Sequence, residues 1–272
     1  AAITARKQEL GDQLVILGHH YQQDDVIRFA DFTGDSFKLS QLAAEQVKKV
    51  GAKYVIFCGV HFMAESADIL TPDGTAVILP DMGAGCSMAD MADYEDTLDA
   101  WGAIHEAVGQ GPRAKGLGEE KNRSDSLGPA PSALGPSSTR IVPICYMNSS
   151  AAIKAFCGEH GGAVCTSSNC DTVFEWALAG GTQKRGENEQ FKMLFLPDQH
   201  LGRNTAAAMG YDIHGDMCLW DPKHANGLGG CDEDELRRST FILWKGHCST
   251  LTFNTVRGSI GPCSNCSITV RA

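Results

Sequence analysis

The chain has 272 residues, which exceeds one average domain and predicts two domains or one large one. Its net charge of −10 argues against general affinity for nucleic acid or anionic membranes. Although 43% of the residues are hydrophobic, no apolar run approaches the about 20 residues of a membrane helix. The first residues lack a signal peptide's apolar core, so we expect a cytoplasmic protein. The missing initiator Met predicts that the numbering starts inside a longer chain.

Apolar strand-like runs alternate with helical patterns along the chain, which is typical of an α/β fold with parallel sheets. The first helix is capped by Asp35 or Ser36 and ends at Gly51. Ser87 is predicted to cap a later helix that runs through Asp99. The predicted strands are 14–17, 54–57, 76–79, 141–144, 163–165, 193–196 and 241–244. The predicted helices are 36–50, 63–69, 87–99, 151–156, 172–178 and 205–209.

One stretch interrupts the alternation. Residues 109–139 are rich in Gly, Pro, Ser and charge, which predicts a flexible insertion. We therefore divide the chain into four parts, of which the first and third are α/β units. The parts are 1–108 (with Cys86), 109–140 (the insertion), 141–249 (with Cys248) and 250–272 (a tail).

The two α/β units share landmarks, which predicts an internal duplication. Leu79-Pro80-Asp81 and Leu196-Pro197-Asp198 each follow a predicted strand. Tyr21 and Tyr146 each follow the first strand of their unit.

Four polar loops fall at predicted strand ends or helix starts. They contain His19 and Tyr21, Asp35 with Ser36, Tyr146 with Asn148, and the Thr166–Asn169 loop with Ser167. Neutral donors together with helix N-termini suit a carboxylate or a phosphate. Simple helix capping explains the serines equally well, and His19 is equally compatible with a structural role.

Eleven cysteines in a chain without a secretory signal favour buried thiols and metal ligands over disulfides. Cys86 and Cys248 stand out because each follows a strand and a glycine, which indicates a metal or cluster site. Cys263 and Cys266 form a Cys-x-x-Cys pair, which leaves a zinc or redox site open. Five others are interpreted as small buried apolar residues, namely Cys58, Cys145, Cys157, Cys218 and Cys231.

Seven ordered strings between residues 14 and 249 resemble the quinolinate synthase family. They are His19-His20-Tyr21, Gly34-Asp35-Ser36, Leu79-Pro80-Asp81 with Gly85-Cys86-Ser87, Tyr146-Met147-Asn148, Thr166-Ser167-Ser168-Asn169, Leu196-Pro197-Asp198 and Trp244-Lys245-Gly246-His247-Cys248. The resemblance implies condensation of iminoaspartate with dihydroxyacetone phosphate to quinolinate, in the de novo synthesis of NAD. L-aspartate oxidase or dehydrogenase is then the implied upstream enzyme.

The resemblance also implies a structure and a cofactor. The family's fold is three α/β/α sandwich domains about a pseudo-threefold axis, and each domain contributes one cysteine to a [4Fe-4S] cluster. Cys86 and Cys248 match two of the three ligands. The family's substrate-contacting positions fall on His19, Ser36, Tyr146, Asn148 and Ser167, and its catalytic positions on His19, Tyr21 and Tyr146.

The resemblance ends soon after Cys248. Leu251 stands where the family has histidine, and the tail has no His-Pro-Glu and no Gly-Ser-Thr string. We therefore expect two of three domains, a tail produced by truncation or a reading-frame change, and weak or no synthase activity from this chain alone. The alternatives are an inactive remnant, a dicarboxylate-binding protein without a stable cluster, and a zinc protein. The zinc protein would use Cys263 and Cys266 with Cys248 or His247.

Overall fold

A computed structural model describes residues 2–109, 138–186 and 189–248, which form α-helices that alternate with parallel strands. The helices are α1 (Ala2–Leu10), α2 (Asp24–Ile27), α3 (Ser36–Val50), α4 (His61–Leu70), α5 (Tyr94–Ala107), α6 (Ala151–Glu159), α7 (Cys170–Leu178), α8 (Gln199–Ala208) and α9 (Glu233–Arg238). The strands are β1 (Leu14–His19), β2 (Phe32–Gly34), β3 (Tyr54–Cys58), β4 (Ala76–Ile78), β5 (Ser138–Tyr146), β6 (Ala163–Cys165), β7 (Glu189–Leu196), β8 (Met217–Trp220) and β9 (Phe241–Trp244).

The strands form two parallel sheets, which confirms the predicted α/β class. The first sheet has the order β2-β1-β3-β4, and the second has the order β6-β5-β7-β9-β8. All six residues of β1 are buried, as are the last six of β7, because helices cover both faces of a parallel sheet. The pseudo-threefold arrangement stays an expectation from the resemblance.

One buried apolar cluster continues from the first sheet into the second. Leu17 and Phe57 of the first sheet belong to the same cluster as Ile144 and Phe195 of the second. The carboxyl ends of both sheets can therefore build one site.

The termini of α3 agree with the sequence prediction. The Asp35 carboxylate accepts a hydrogen bond from the Lys38 backbone N–H at 2.8 Å. Gly51 ends the helix with φ of 71°, a left-handed conformation that glycine adopts at little cost.

The predicted helix from Ser87 to Asp99 is wrong. A short 3₁₀ turn covers Ala89–Met91, and α5 begins only after Asp93. The Asp93 carboxylate accepts hydrogen bonds from the backbone N–H groups of Glu95 and Asp96, so it supplies the cap that we had assigned to Ser87. The residues between β4 and α5 are consequently a long loop, and Cys86 lies in it.

The boundary of the predicted insertion also moves. Strand β5 begins at Ser138, and Ser138 to Arg140 pair with Glu189 to Phe191 of β7. Residues 110–137 lie outside the described residues, so the predicted flexibility of the insertion stays a prediction, as does the division into domains. Two short strands, β2 and β8, escaped the sequence analysis.

Both sheets begin with the same connectivity, which supports the predicted duplication. The first strand of each unit lies between the second and the third, so β1, β2 and β3 correspond to β5, β6 and β7. The pairing of the two Leu-Pro-Asp strings is wrong, because Leu79-Pro80-Asp81 follows β4 whereas Leu196-Pro197-Asp198 follows β7. By position in the sheet β4 corresponds to β9, so Cys86 and Cys248 follow equivalent strands.

Candidate active site

The predicted site residues lie at the carboxyl ends of strands. His19 ends β1 and Tyr146 ends β5, while Ser36 and Ser167 follow the edge strands β2 and β6. Carboxyl ends of parallel strands share one edge of their sheet, and ligands of α/β proteins bind at that edge. Equivalent strands of the two sheets therefore lead to predicted site residues. His19 and Tyr146 end β1 and β5, and Ser36 and Ser167 follow β2 and β6.

A cavity of about 290 Å³ brings four of the predicted residues together. One wall is the N-terminal turn of α3, with Ser36. The opposite wall consists of the end of β5 with Tyr146 and Asn148, and the loop after β6 with Ser167. The cavity thus lies between the first and the second unit. Its lining residues are Asp35, Ser36, Phe37, Lys38, Gln41, Tyr146, Met147, Asn148, Thr166, Ser167 and Ser168.

The cavity offers neutral and cationic donors to an anion. Ser36 opens a helix of 15 residues, and the N-terminal backbone N–H groups of such a helix attract negative charge. Lys38 and Gln41, which the sequence analysis missed, extend this donor set. The signal for Lys38 was its place in the same helical turn as the capping residue Asp35.

The loop after β6 is held by its own side chains. Asn169 Oδ1 accepts hydrogen bonds from the backbone N–H and the hydroxyl of Thr166, at 2.7 and 2.9 Å. The Thr166 and Ser168 hydroxyls are 2.9 Å apart. Ser167 therefore lines the cavity from a backbone held by these hydrogen bonds.

His19 adjoins the cavity through Ser36. Its side chain is buried, and its Nε2 lies 3.5 Å from the Ser36 hydroxyl oxygen. Burial, together with the neighbouring His20, lowers the pKa of His19 to about 4, although Asp35 opposes this shift. The imidazole is therefore neutral at pH 7 and available as a proton acceptor.

Tyr21 packs against His19, with a ring-centroid distance of 3.9 Å, and is 42% exposed. Partial burial, together with the nearby Cys86, raises the pKa of Tyr21 to about 12. The phenol is therefore protonated at pH 7 and can donate a proton or a hydrogen bond. Neither His19 nor Tyr21 lines the cavity itself.

Cys86 and Cys248 are half-buried and packed against the same apolar cluster. Burial raises the pKa of Cys86, backbone N–H groups of Ala89 and Met88 lower it, and the charge of Cys248 raises it again. The two thiols therefore interact electrostatically and pack against one apolar cluster, although the residues are far apart in sequence.

Met91 connects the loops that carry the two cysteines. Its carbonyl accepts a hydrogen bond from Trp244 Nε1 at 2.7 Å, and its sulfur accepts one from the His247 backbone N–H at 3.3 Å. A methyl group on Gly246 would lie 2.2 Å from the Pro197 carbonyl oxygen, so this position requires glycine. The close contact fixes the backbone two residues before Cys248.

Residues 2–109, 138–186 and 189–248 contain no group of three or more His, Cys, Asp or Glu side chains placed to hold a metal ion. Cysteine thiolates are the usual ligands of iron–sulfur clusters, so Cys86 and Cys248 are chemically suited to be two of them. Cys263 and Cys266 lie outside the described residues. Of the five cysteines interpreted as apolar core, four are buried as predicted and Cys58 is half-buried. No helix in the described part of the chain is long and apolar enough to cross a membrane.

Comparison with known proteins identifies the family. The sequence model of the family described as "Quinolinate synthetase A protein" matches residues 1–257. The chain belongs to this family. Quinolinate synthase of Acidobacterium capsulatum is 51% identical over 247 residues, which cover 91% of this chain and 55% of the relative. The enzyme of Nocardioides sp. is 50% identical over 246 residues (90% and 53%), and that of Geobacillus kaustophilus is 48% identical over 257 residues (94% and 58%).

The chain spans about half the length of the curated quinolinate synthases that it matches. The two sheets and the cavity between them lie within the matched residues. The roles of the individual residues in this chain are therefore proposals.

Proposed function

We propose that this chain forms the substrate cavity of a quinolinate synthase, which condenses iminoaspartate with dihydroxyacetone phosphate to quinolinate. The observation that carries the proposal is the convergence of Ser36, Tyr146, Asn148 and Ser167 on one cavity between the two units. Family membership supplies the reaction, with loss of phosphate and two waters. An upstream L-aspartate oxidase or dehydrogenase would deliver iminoaspartate, and we propose the cytoplasm as the compartment.

Both proposed substrates are anions, and the cavity offers them hydrogen-bond donors, although the Asp35 carboxylate also lines it. The hydroxyl groups of Ser36 and Ser167 and the amide of Asn148 donate hydrogen bonds to carboxylate or phosphate oxygens. The N-terminus of α3 and the Lys38 ammonium add positive potential in a chain of net charge −10. The local field of the cavity, and not the net charge, therefore decides which ligand binds.

His19 and Tyr21 divide the proton transfers between them. Condensation and dehydration require a group that takes a proton from carbon and a group that gives one to oxygen. The neutral imidazole of His19, with its pKa lowered to about 4, accepts a proton weakly and returns it readily. Tyr21, with its pKa raised to about 12, holds its proton and donates a hydrogen bond to a developing oxyanion.

Cys86 of the first unit and Cys248 of the second would hold a [4Fe-4S] cluster as two of its thiolate ligands. Such a cluster, when bound, supplies an open iron that acts as a Lewis acid toward substrate oxygen. A third thiolate does not approach this pair within the described part of the chain. We therefore expect this chain alone to hold iron weakly and to turn over slowly.

Anaerobic reconstitution of the whole chain with iron and sulfide tests the proposal. Cys86→Ser and Cys248→Ser should each abolish the iron that the wild type retains. Cys58→Ser is the matched control, because Cys58 is another half-buried thiol at a strand end, and it should retain iron. Iron uptake that is indifferent to Cys86 and Cys248 would refute their assignment. About four irons per chain, with turnover like that of the A. capsulatum enzyme, would refute the expectation of weak activity.

The second candidate is a dicarboxylate-binding protein without a stable cluster, and the absence of a third ligand among the described residues favours it. Calorimetry with malate on the iron-free chain separates the two. Malate affinity that persists without iron, together with no quinolinate formation after reconstitution, would support this candidate over the synthase.

A further inference from the structure

Lys154 joins the two units outside the substrate cavity. It lies on α6, and its Nζ donates hydrogen bonds to Ser66 Oγ on α4 and to the Ser149 carbonyl, both at 2.8 Å. The ammonium also lies 5.3 Å from the centre of the Phe62 ring. Lys154 is half-buried, and this burial lowers its pKa to about 8.

Glu65, the neighbour of Ser66 on α4, makes a second link to the same segment. Its Oε2 accepts a hydrogen bond from the Ala151 backbone N–H at 2.9 Å, at the first residue of α6. A carboxylate at the N-terminus of a helix is favourable because the helix dipole is positive there. Two adjacent side chains of α4 therefore hold the start of α6.

The linked segment continues into the wall of the cavity. The Ser149 hydroxyl donates a hydrogen bond to the Tyr146 carbonyl at 2.7 Å. On the other side, the Ser40 hydroxyl on α3 lies within hydrogen-bonding distance of the carbonyls of Ser36, at 3.0 Å, and Met63 on α4, at 3.4 Å. Polar contacts therefore run from Ser36 on one wall, through α4 and Lys154, to Tyr146 on the other.

We propose that Lys154 and Glu65 are positioning residues, which hold the Tyr146–Ser149 wall against α4 and thereby set the width of the cavity. They contact backbone and side chains that bear ligand-binding groups, and no ligand. The effect on ligand affinity rests on the proposed function of the cavity. The effect on the geometry of the walls does not.

Lys154→Met and Lys192→Met form a matched pair for the test. Lys192 also lies in the second unit, its pKa is also lowered to about 8 by burial, and it donates to the carbonyls of Arg237 and Ser239. Lys192 does not reach the first unit, so its replacement reports on the loss of a buried amine alone. We expect Lys154→Met to weaken malate binding about tenfold by calorimetry, the effect of one hydrogen bond from a charged group, and Lys192→Met to change it less than about twofold.

Hydrogen exchange gives a readout that needs no ligand. In Lys154→Met, segments 36–42 and 146–150 should exchange at least about fivefold faster, while Lys192→Met should leave both unchanged. Glu65→Gln keeps an oxygen acceptor for Ala151 N–H but loses the charge, so its segments should exchange more slowly than those of Glu65→Ala, which should resemble Lys154→Met. The Glu65 pair also serves if Lys154→Met fails to fold.

Equal effects of Lys154→Met and Lys192→Met, or equal effects of Glu65→Gln and Glu65→Ala, would overturn the positioning role. A wild-type chain that does not bind malate would instead count against the function proposed for the cavity. In that case the exchange measurement still decides whether Lys154 and Glu65 order the two walls.

Discussion

Gly246 is the position at which a single methyl group should disturb the cysteine pair most directly. In Gly246→Ala the new Cβ would lie 2.2 Å from the Pro197 carbonyl oxygen and 3.3 Å from the Cβ of Met91. Ordinary contact begins near 3.4 Å, so the end of β9 and the Pro197 backbone must separate by about 1.2 Å. This shift breaks the bridge between Asp198 and Gly246 and lengthens the hydrogen bond from Gln199 N–H to the Gly246 carbonyl.

The cost of this substitution follows from overpacking and from the weakened hydrogen bond. Overpacking costs about 1–3 kcal/mol and a backbone hydrogen bond about 1 kcal/mol, so unfolding free energy should fall by about 2–4 kcal/mol. For a domain of this size the melting temperature should fall by about 5–10 °C. Iron retained after reconstitution should also fall, because Cys248 moves by more than the about 0.2 Å that ligand distances tolerate.

Gly102→Ala is the control, because a Cβ at Gly102 in α5 meets nothing within 4 Å. Alanine is favoured over glycine inside a helix, so this variant should melt at or slightly above the wild-type temperature. Calorimetric melting and iron analysis of both variants test whether Gly246→Ala lowers the melting temperature and the iron content. A Gly246→Ala protein that melts within about 2 °C of the wild type and retains its iron would show that the backbone relaxes freely at this site.

Three further predictions concern the cavity, the buried amine and the corrected helix start. Ser36→Ala and Asn148→Ala should each weaken malate binding about fivefold in calorimetry with little change in melting temperature; unchanged affinity would remove them from the ligand site. Burial lowers the pKa of Lys192 from 10.5 to about 8. Between pH 8 and pH 10.5 the unfolded state therefore binds more protons than the folded state. The free energy of unfolding consequently rises with pH over this interval, by up to about 3 kcal/mol. Urea unfolding of the wild type and Lys192→Met at pH 7.5 and 10 should reveal this difference, and parallel pH profiles would contradict it. Asp93→Ala should cost about 1 kcal/mol of unfolding free energy and Ser87→Ala almost none; the reverse order would restore the helix start predicted from sequence.

The sequence predicted the fold class because its periodicity is strong where the sheets are buried. The strands around Leu17, Ile144 and Leu243 are continuous apolar runs, and such runs occur where helices cover both faces of a parallel sheet. The ends of α3 were equally clear, since Asp35 and Gly51 act through contacts with their own helix. Where two caps competed, as Ser87 and Asp93 do, the sequence alone could not rank them.

The sequence by itself determined the family and the α/β class, because those depend on local strings and on periodicity, and it supplied a list of candidate site residues. Only the tertiary structure decided that Ser36 and Ser167 line one cavity, since they follow strands of different sheets. It likewise paired the strands before Cys86 and Cys248, where the matching strings had paired the wrong ones. Lys154 carried no local signal, because its partner Ser66 is 88 residues away in the chain and meets it only when the two units pack together.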